Sequence, residues 1–81
     1  MIFFVYILKS SITGTYYYGS TANLEVRLKR HNSGKVRSTK GKKPWVLHYY
    51  EELKTRGEAL RRERFFKSVD GYKYLKEKGI I

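Results

Sequence analysis

Cysteine is absent from this 81-residue chain, so it contains no disulfide framework, no thiolate nucleophile and no Cys-based zinc site. That suits a reducing compartment, and a cytoplasmic location is the expectation. Acidic residues are scarce, 7 Asp and Glu against 18 Lys and Arg, which leaves a formal net charge of +11. A surplus of this size with no acidic stretch to offset it predicts attraction to polyanions, nucleic acid ahead of an anionic membrane surface. Long apolar runs are missing too. The most apolar stretch, Ile2 to Leu8, is far short of the roughly 20 residues a membrane helix needs, and it reads instead as a buried strand. With no linker, repeat or low-complexity segment, the expectation is one domain spanning 1–81.

What the chain does have is aromatic residues: eight Tyr, four Phe and one Trp, enough large rings to build one small core. Residues 2–9 are β-branched and aromatic almost throughout, Ser11 to Gly14 carry turn chemistry, and a tyrosine-rich run follows from Thr15 to Gly19. This predicts a hairpin. With residues 11–14 as its loop, Ser10 faces Thr15, Tyr6 faces Gly19 and Leu8 faces Tyr17. Tyr6 and Tyr17 then lie on one sheet face as diagonal neighbours, about 7–8 Å apart at the backbone. Gly19 leaves room beside Tyr6, and a slip of one residue would send one tyrosine to the other face.

Thr21 to Asn32 reads as a helix, with Thr21 or Asn23 as cap, Glu25 in the first turn and Asn32-Ser33-Gly34 as the stop. Its Arg27 and His31 are four apart and share a face, with Leu24 and Leu28 as the apolar contact. Lys35, Arg37, Lys40, Lys42 and Lys43 follow without an acid among them and predict a solvated cationic loop, ended by Pro44. Trp45 to Tyr50 is a third strand candidate, with Trp45, Leu47 and Tyr49 on one side and Val46, His48 and Tyr50 on the other. Thr55 and Glu58 have the spacing of a capping box and start a second helix. Ala59, Glu63 and Phe66 fall on one face of it, which sets a carboxylate toward the sheet. Asp70-Gly71 is expected to end that helix, and Tyr72 to Lys78 to form a last one with Tyr72 and Leu75 inward.

Two tyrosines on one sheet face, an Arg and a His on one helix face and one inward Glu form the unusual set. Each residue has an ordinary structural reading: half-core tyrosines, solvated helix residues, and an ion pair of Glu63 with Arg62, Arg64 or Lys67 in place of a metal. The cationic loop is more readily a phosphate contact.

These residues resemble the GIY-YIG nuclease domain of homing endonucleases, some restriction enzymes and the incision subunit of bacterial nucleotide-excision repair. Phe4-Val5-Tyr6-Ile7 stands at the first motif and Tyr17-Tyr18-Gly19 at the second. Arg27 lies ten residues after Tyr17, with His31 one turn on, and Ala59 to Glu63 resembles the second-helix motif. The sequence departs from the pattern at Phe4, in place of the first glycine, and near Leu75, where many members carry an asparagine. Ser20 stands where the repair nucleases tend to carry a lysine.

The resemblance implies an α/β fold, a small three-stranded, mainly antiparallel sheet flanked by helices, with the site on the sheet face between the first two helices. It implies a DNA endonuclease dependent on a divalent metal, DNA or RNA as partner, a role such as DNA repair, and a protein partner that supplies specificity. Glu63 would hold Mg²⁺ or Mn²⁺, Arg27 would clamp the phosphate, one of Tyr6 and Tyr17 would take the proton of water, and His31 would accept or orient the tyrosine proton. The alternative is a nucleic-acid-binding module of the same fold that cleaves weakly or not at all.

Overall fold

The computed structural model describes all 81 residues. Strands β1 (Phe3–Ser10), β2 (Tyr16–Thr21) and β3 (Trp45–Leu53) form one sheet of order β2-β1-β3, both pairings antiparallel. Helices α1 (Leu24–Asn32), α2 (Arg56–Phe66) and α3 (Val69–Glu77) complete the α/β architecture, and Lys40–Lys42 make one 3₁₀ turn.

β1 lies in the middle and is covered on both faces, which is why its sequence is continuously apolar rather than alternating. Tyr6 and Leu8 pack with Trp45, Tyr17, Leu24 and Leu28 beneath α1. Val5 and Ile7 pack with Phe66 and Leu75 beneath α2 and α3. The first two helices therefore lie on opposite faces of the sheet, and the expected location between them on one face is corrected: α1 alone covers the Tyr6 face.

The hairpin register is the one expected, with Tyr6 opposite Gly19 and Leu8 opposite Tyr17. β3 corrects its own pattern. It runs three residues beyond Tyr50, to Leu53, and a bulge pairs Ile7 with Tyr49 but Leu8 with Leu47, leaving His48 as the extra residue. An inserted residue inverts the alternation beyond it. Trp45 and Tyr49 consequently face opposite layers, Trp45 toward α1 and Tyr49 toward Phe66.

The helix ends obey local chemistry. Asn23, not Thr21, caps α1 through the Val26 amide, and Thr55 and Glu58 form the full capping box of α2. The expected break at Asp70-Gly71 falls instead at Lys67 and Ser68, because the Ser68 hydroxyl accepts from the Gly71 amide and starts α3 there. Gly71 is a packing glycine, since a Cβ on it would stand 1.7 Å from the Phe65 carbonyl oxygen. Leu75 is inward as expected, whereas Tyr72 is exposed. Arg62 ties the α2 layer together: its guanidinium donates to both carboxylate oxygens of Glu51 and lies 5.0 Å from the ring centres of Phe65, Phe66 and Tyr74.

Candidate active site

Tyr6 projects from the central strand toward the edge strand β2 and is only 2% exposed. Its ring reaches over Gly19, where a Cβ would come within 2.5 Å of the phenol oxygen. Glycine is thus what lets the phenol sit against the backbone of β2. On its other side α1 supplies two partners from one helical face: His31 Nε2 lies 3.0 Å from the phenol oxygen, and Arg27 Nε donates to that oxygen at 3.4 Å. Tyr17 leans on the same imidazole, ring centres 4.8 Å apart. The structure therefore brings Tyr6, Tyr17, Arg27 and His31 together on one face.

Burial sets the electrostatics of this group. Loss of water pushes the Tyr6 phenol above its ordinary pKa, and the Arg27 guanidinium, which favours the phenolate, offsets only part of that rise. His31 is fully buried beside a cation, and desolvation followed by Arg27 pulls its pKa down to about 4. At neutral pH the pair is a neutral phenol against a neutral imidazole.

His31 has a second neighbour that the sequence pattern did not single out. Its Nδ1 lies 2.9 Å from Thr39 Oγ1, and Thr39 is completely buried although it sits among the loop cations. The expectation of a fully solvated loop from 35 to 43 is corrected at this residue. The loop is pinned from several sides. Trp45 Nε1 donates to the Thr39 carbonyl, Asn32 exchanges two hydrogen bonds with the Trp45 backbone, and Ser10 donates to the Lys42 carbonyl. Lys35, Arg37, Lys40, Lys42 and Lys43 are all exposed, and none forms an ion pair.

Glu63 stands apart from the phenols. Ser20, paired with Val5, faces the α2 layer and donates to Glu63 Oε1 at 2.7 Å, while Lys67 Nζ lies 2.8 Å from Oε2. The carboxylate therefore approaches edge strand β2 from one face, and Tyr6 lies over the adjacent Gly19 on the other. Glu63 is still close enough for its charge to add to the rise in the Tyr6 pKa. Of the ion pairs open to Glu63, the one formed is with Lys67. Leu75 is buried in the α2 layer, remote from the Tyr6 face.

No group of three or more His, Asp or Glu side chains is gathered anywhere in the chain. The donor set therefore offers a hard divalent ion one carboxylate, Glu63, with water and substrate oxygens to complete the shell, which is how Mg²⁺ is commonly held. Lys67 is half exposed, so water can take over from the carboxylate as the partner of its ammonium when an ion approaches Glu63.

The GIY-YIG catalytic domain matches residues 2–74. The chain belongs to the GIY-YIG family. The domain is that of a family of nucleases, and relatives of similar size bear only the name UPF0213. A UPF0213 protein of Bacillus licheniformis is 39% identical over 79 residues, covering 93% of this chain and 80% of its own. Another, from Halobacterium salinarum, is 36% identical and covers 80% of this chain and 84% of its own. The solution NMR structure of a UPF0213 protein from Bacillus halodurans superposes with a TM-score of 0.56 at 32% identity, covering 95% of this chain and 84% of that one. No helix of this GIY-YIG domain is long and apolar enough to cross a membrane.

Proposed function

We propose that this GIY-YIG domain is an endonuclease that hydrolyses DNA phosphodiester bonds with the help of Mg²⁺ or Mn²⁺. The observation that supports this best is the Tyr6 phenol, held between the Arg27 guanidinium and the His31 imidazole over a strand with no side chain in the way. Phosphodiester hydrolysis needs a proton taken from water and charge neutralised on the phosphoryl oxygens. A phenol whose pKa lies above 10.0 does not ionise by itself at neutral pH. It can act as a relay: Tyr6 accepts the proton of the attacking water as its own proton passes to His31 Nε2. Arg27 is half exposed and remains cationic, so it can clamp the phosphate while it steadies the phenol oxygen. A divalent ion on Glu63 would supply charge neutralisation at the phosphate and ease the exit of the leaving oxygen. The unpaired cations of the loop would hold the rest of the polyanion, and a protein partner would supply site choice to so small a domain.

Incubation with supercoiled plasmid and Mg²⁺ or Mn²⁺ tests the proposal. Nicking is expected, and chelation, Tyr6→Phe or Glu63→Ala should abolish it. Nicking indifferent to all three refutes it.

One observation favours a second reading. Both oxygens of Glu63 are already engaged, by Ser20 and Lys67, as they would be in a binding module that has no metal to hold. That reading predicts salt-sensitive binding of DNA with no cleavage under any metal, together with an unchanged affinity in Glu63→Ala.

A further inference from the structure

We propose that Thr39 is a positioning residue that fixes His31 in its Nδ1–H tautomer, so that Nε2 presents a lone pair to the Tyr6 hydroxyl. Five polar groups form a single line: Arg27 Nε to Tyr6 Oη at 3.4 Å, Tyr6 Oη to His31 Nε2 at 3.0 Å, His31 Nδ1 to Thr39 Oγ1 at 2.9 Å, and Thr39 Oγ1 to the Val36 carbonyl at 3.3 Å. Distances alone do not orient the three central members, because phenol, imidazole and hydroxyl can each donate or accept. The ends do orient them. A guanidinium only donates and a carbonyl only accepts. Tyr6 Oη accepts from Arg27 and has its own proton left to give, and the partner within reach is Nε2. Thr39 has one proton, the carbonyl of Val36 takes it, and its oxygen is then free to accept from Nδ1–H. Every donor in the line is used once, in one direction.

The opposite tautomer breaks this line. Nε2–H would point a second donor at Tyr6 Oη, and the phenol proton would lose its acceptor inside a buried site. Leaving a buried donor unmet costs about 1–3 kcal/mol. The relay would also be blocked, since a protonated Nε2 cannot receive the Tyr6 proton.

Thr39 is built to be still. Its amide donates to the Val36 carbonyl, and its own carbonyl accepts from both the Lys42 amide and the Trp45 indole. It is buried although the cations at 37, 40, 42 and 43 around it are exposed. A threonine side chain turned inward from a cationic surface loop onto a ring nitrogen is a specific placement.

The proposal takes its purpose from the endonuclease reading, but the tautomer can be measured without any cleavage. Long-range ¹H–¹⁵N correlation spectra of the uniformly labelled protein near pH 7 report which nitrogen of His31 carries the proton, with His48 as an internal reference for the folded state. The wild type and Thr39→Ser should show Nδ1–H. Thr39→Val, which keeps the volume and removes the acceptor, should show Nε2–H or a mixture. If the plasmid assay detects cleavage, Thr39→Val should lower kcat about 100-fold, the low end of what a placed acid–base group contributes, with no matching loss of DNA affinity, and Thr39→Ser should restore it. Nε2–H in the wild type, or a tautomer unchanged in folded Thr39→Val, overturns the proposal. The expected tautomers in a protein that cleaves nothing would uphold it and count against the endonuclease reading alone.

Discussion

Replacing Gly19 with alanine isolates the contact on which the Tyr6 site is built. A Cβ there would stand 2.5 Å from the phenol oxygen, 2.6 Å from Cζ and 3.0 Å from Cε1, where ordinary contact begins near 3.4 Å. The hydroxyl end of the ring would have to retreat by about 0.9 Å, and the space behind it is filled by His31 and Arg27. The ring is only 2% exposed, so it cannot swing out into solvent without breaking its packing. Overpacking of this kind costs about 1–3 kcal/mol, to which loss of the Tyr6–His31 hydrogen bond adds about 1 kcal/mol. For a domain of this size each kcal/mol lowers Tm by about 4–8 °C.

Thermal denaturation of Gly19→Ala should therefore show a fall in Tm of about 10–30 °C, and the same displacement should abolish plasmid nicking. Gly41→Ala is the matched control. Nothing lies within 4 Å of a Cβ there and its backbone is not left-handed, so its Tm should be close to that of the wild type. A Gly19→Ala protein with native Tm and native cleavage would show that the phenol does not sit against β2, and the relay through Tyr6 would have no structural basis.

Protonation gives a second test. His31 binds its proton near pH 4 when folded and near 6.5 when unfolded, so the unfolded chain takes up the extra proton in between. Stability from this group is fully present above pH 6.5 and lost as pH falls toward 4, by about 3 kcal/mol in all. Denaturant titrations should show a shallower acid decline in His31→Gln than in the wild type, and equal slopes would contradict the buried neutral imidazole. Arg62→Ala removes a two-point bond to Glu51 and the packing against three rings, and should cost about 2–4 kcal/mol by denaturant unfolding while leaving the Tyr6–His31 proton resonances in place. Replacing Lys40 and Lys42 with serine should flatten the dependence of log K on log salt by about 1 for each phosphate that is no longer neutralised, and an unchanged slope would place the nucleic acid elsewhere.

The parts of this fold legible in the sequence were those fixed by neighbouring residues. A four-residue turn set the register of the hairpin, and from the register followed the shared face of Tyr6 and Tyr17 and the place of Gly19 beneath the phenol. Thr55 and Glu58 marked a helix start that needed nothing distant. The rest depended on contacts between segments. A central strand apolar on both faces does not say which helix covers which face, so nothing local reveals that α1 and α2 lie on opposite sides of the sheet. The bulge at His48 leaves no mark in composition, and without it Trp45 and Tyr49 fall on one side. The turn signal of Asp70-Gly71 masks Ser68, whose hydroxyl caps α3 just before it. Thr39 was the least visible of all, because a threonine set among loop cations reads as solvent-facing, and only Trp45 and His31, which enclose it, turn it inward.

The energies of the relay bear on when it can operate. Burial holds the Tyr6 phenol above its ordinary pKa and pulls the His31 imidazole down to about 4, so both shifts oppose moving a proton from one to the other in the free protein. The resting pair is therefore un-ionised, and a hydroxyl over Gly19 that meets no substrate keeps its proton. In the proposed endonuclease, a phosphate drawn in by the loop cations and Arg27 would change this. Its negative charge would stabilise an imidazolium at His31 and partly neutralise the Arg27 charge that helps hold the His31 pKa down. A cation at Glu63 would favour loss of the proton from water on the other side of Tyr6. Both changes act in the same direction, and both require the substrate or its ion to be present. Burial of Tyr6 and His31 would thus hold the site inactive until a polyanion occupies it, which would give a fully buried histidine a use in a chain with a net charge of +11.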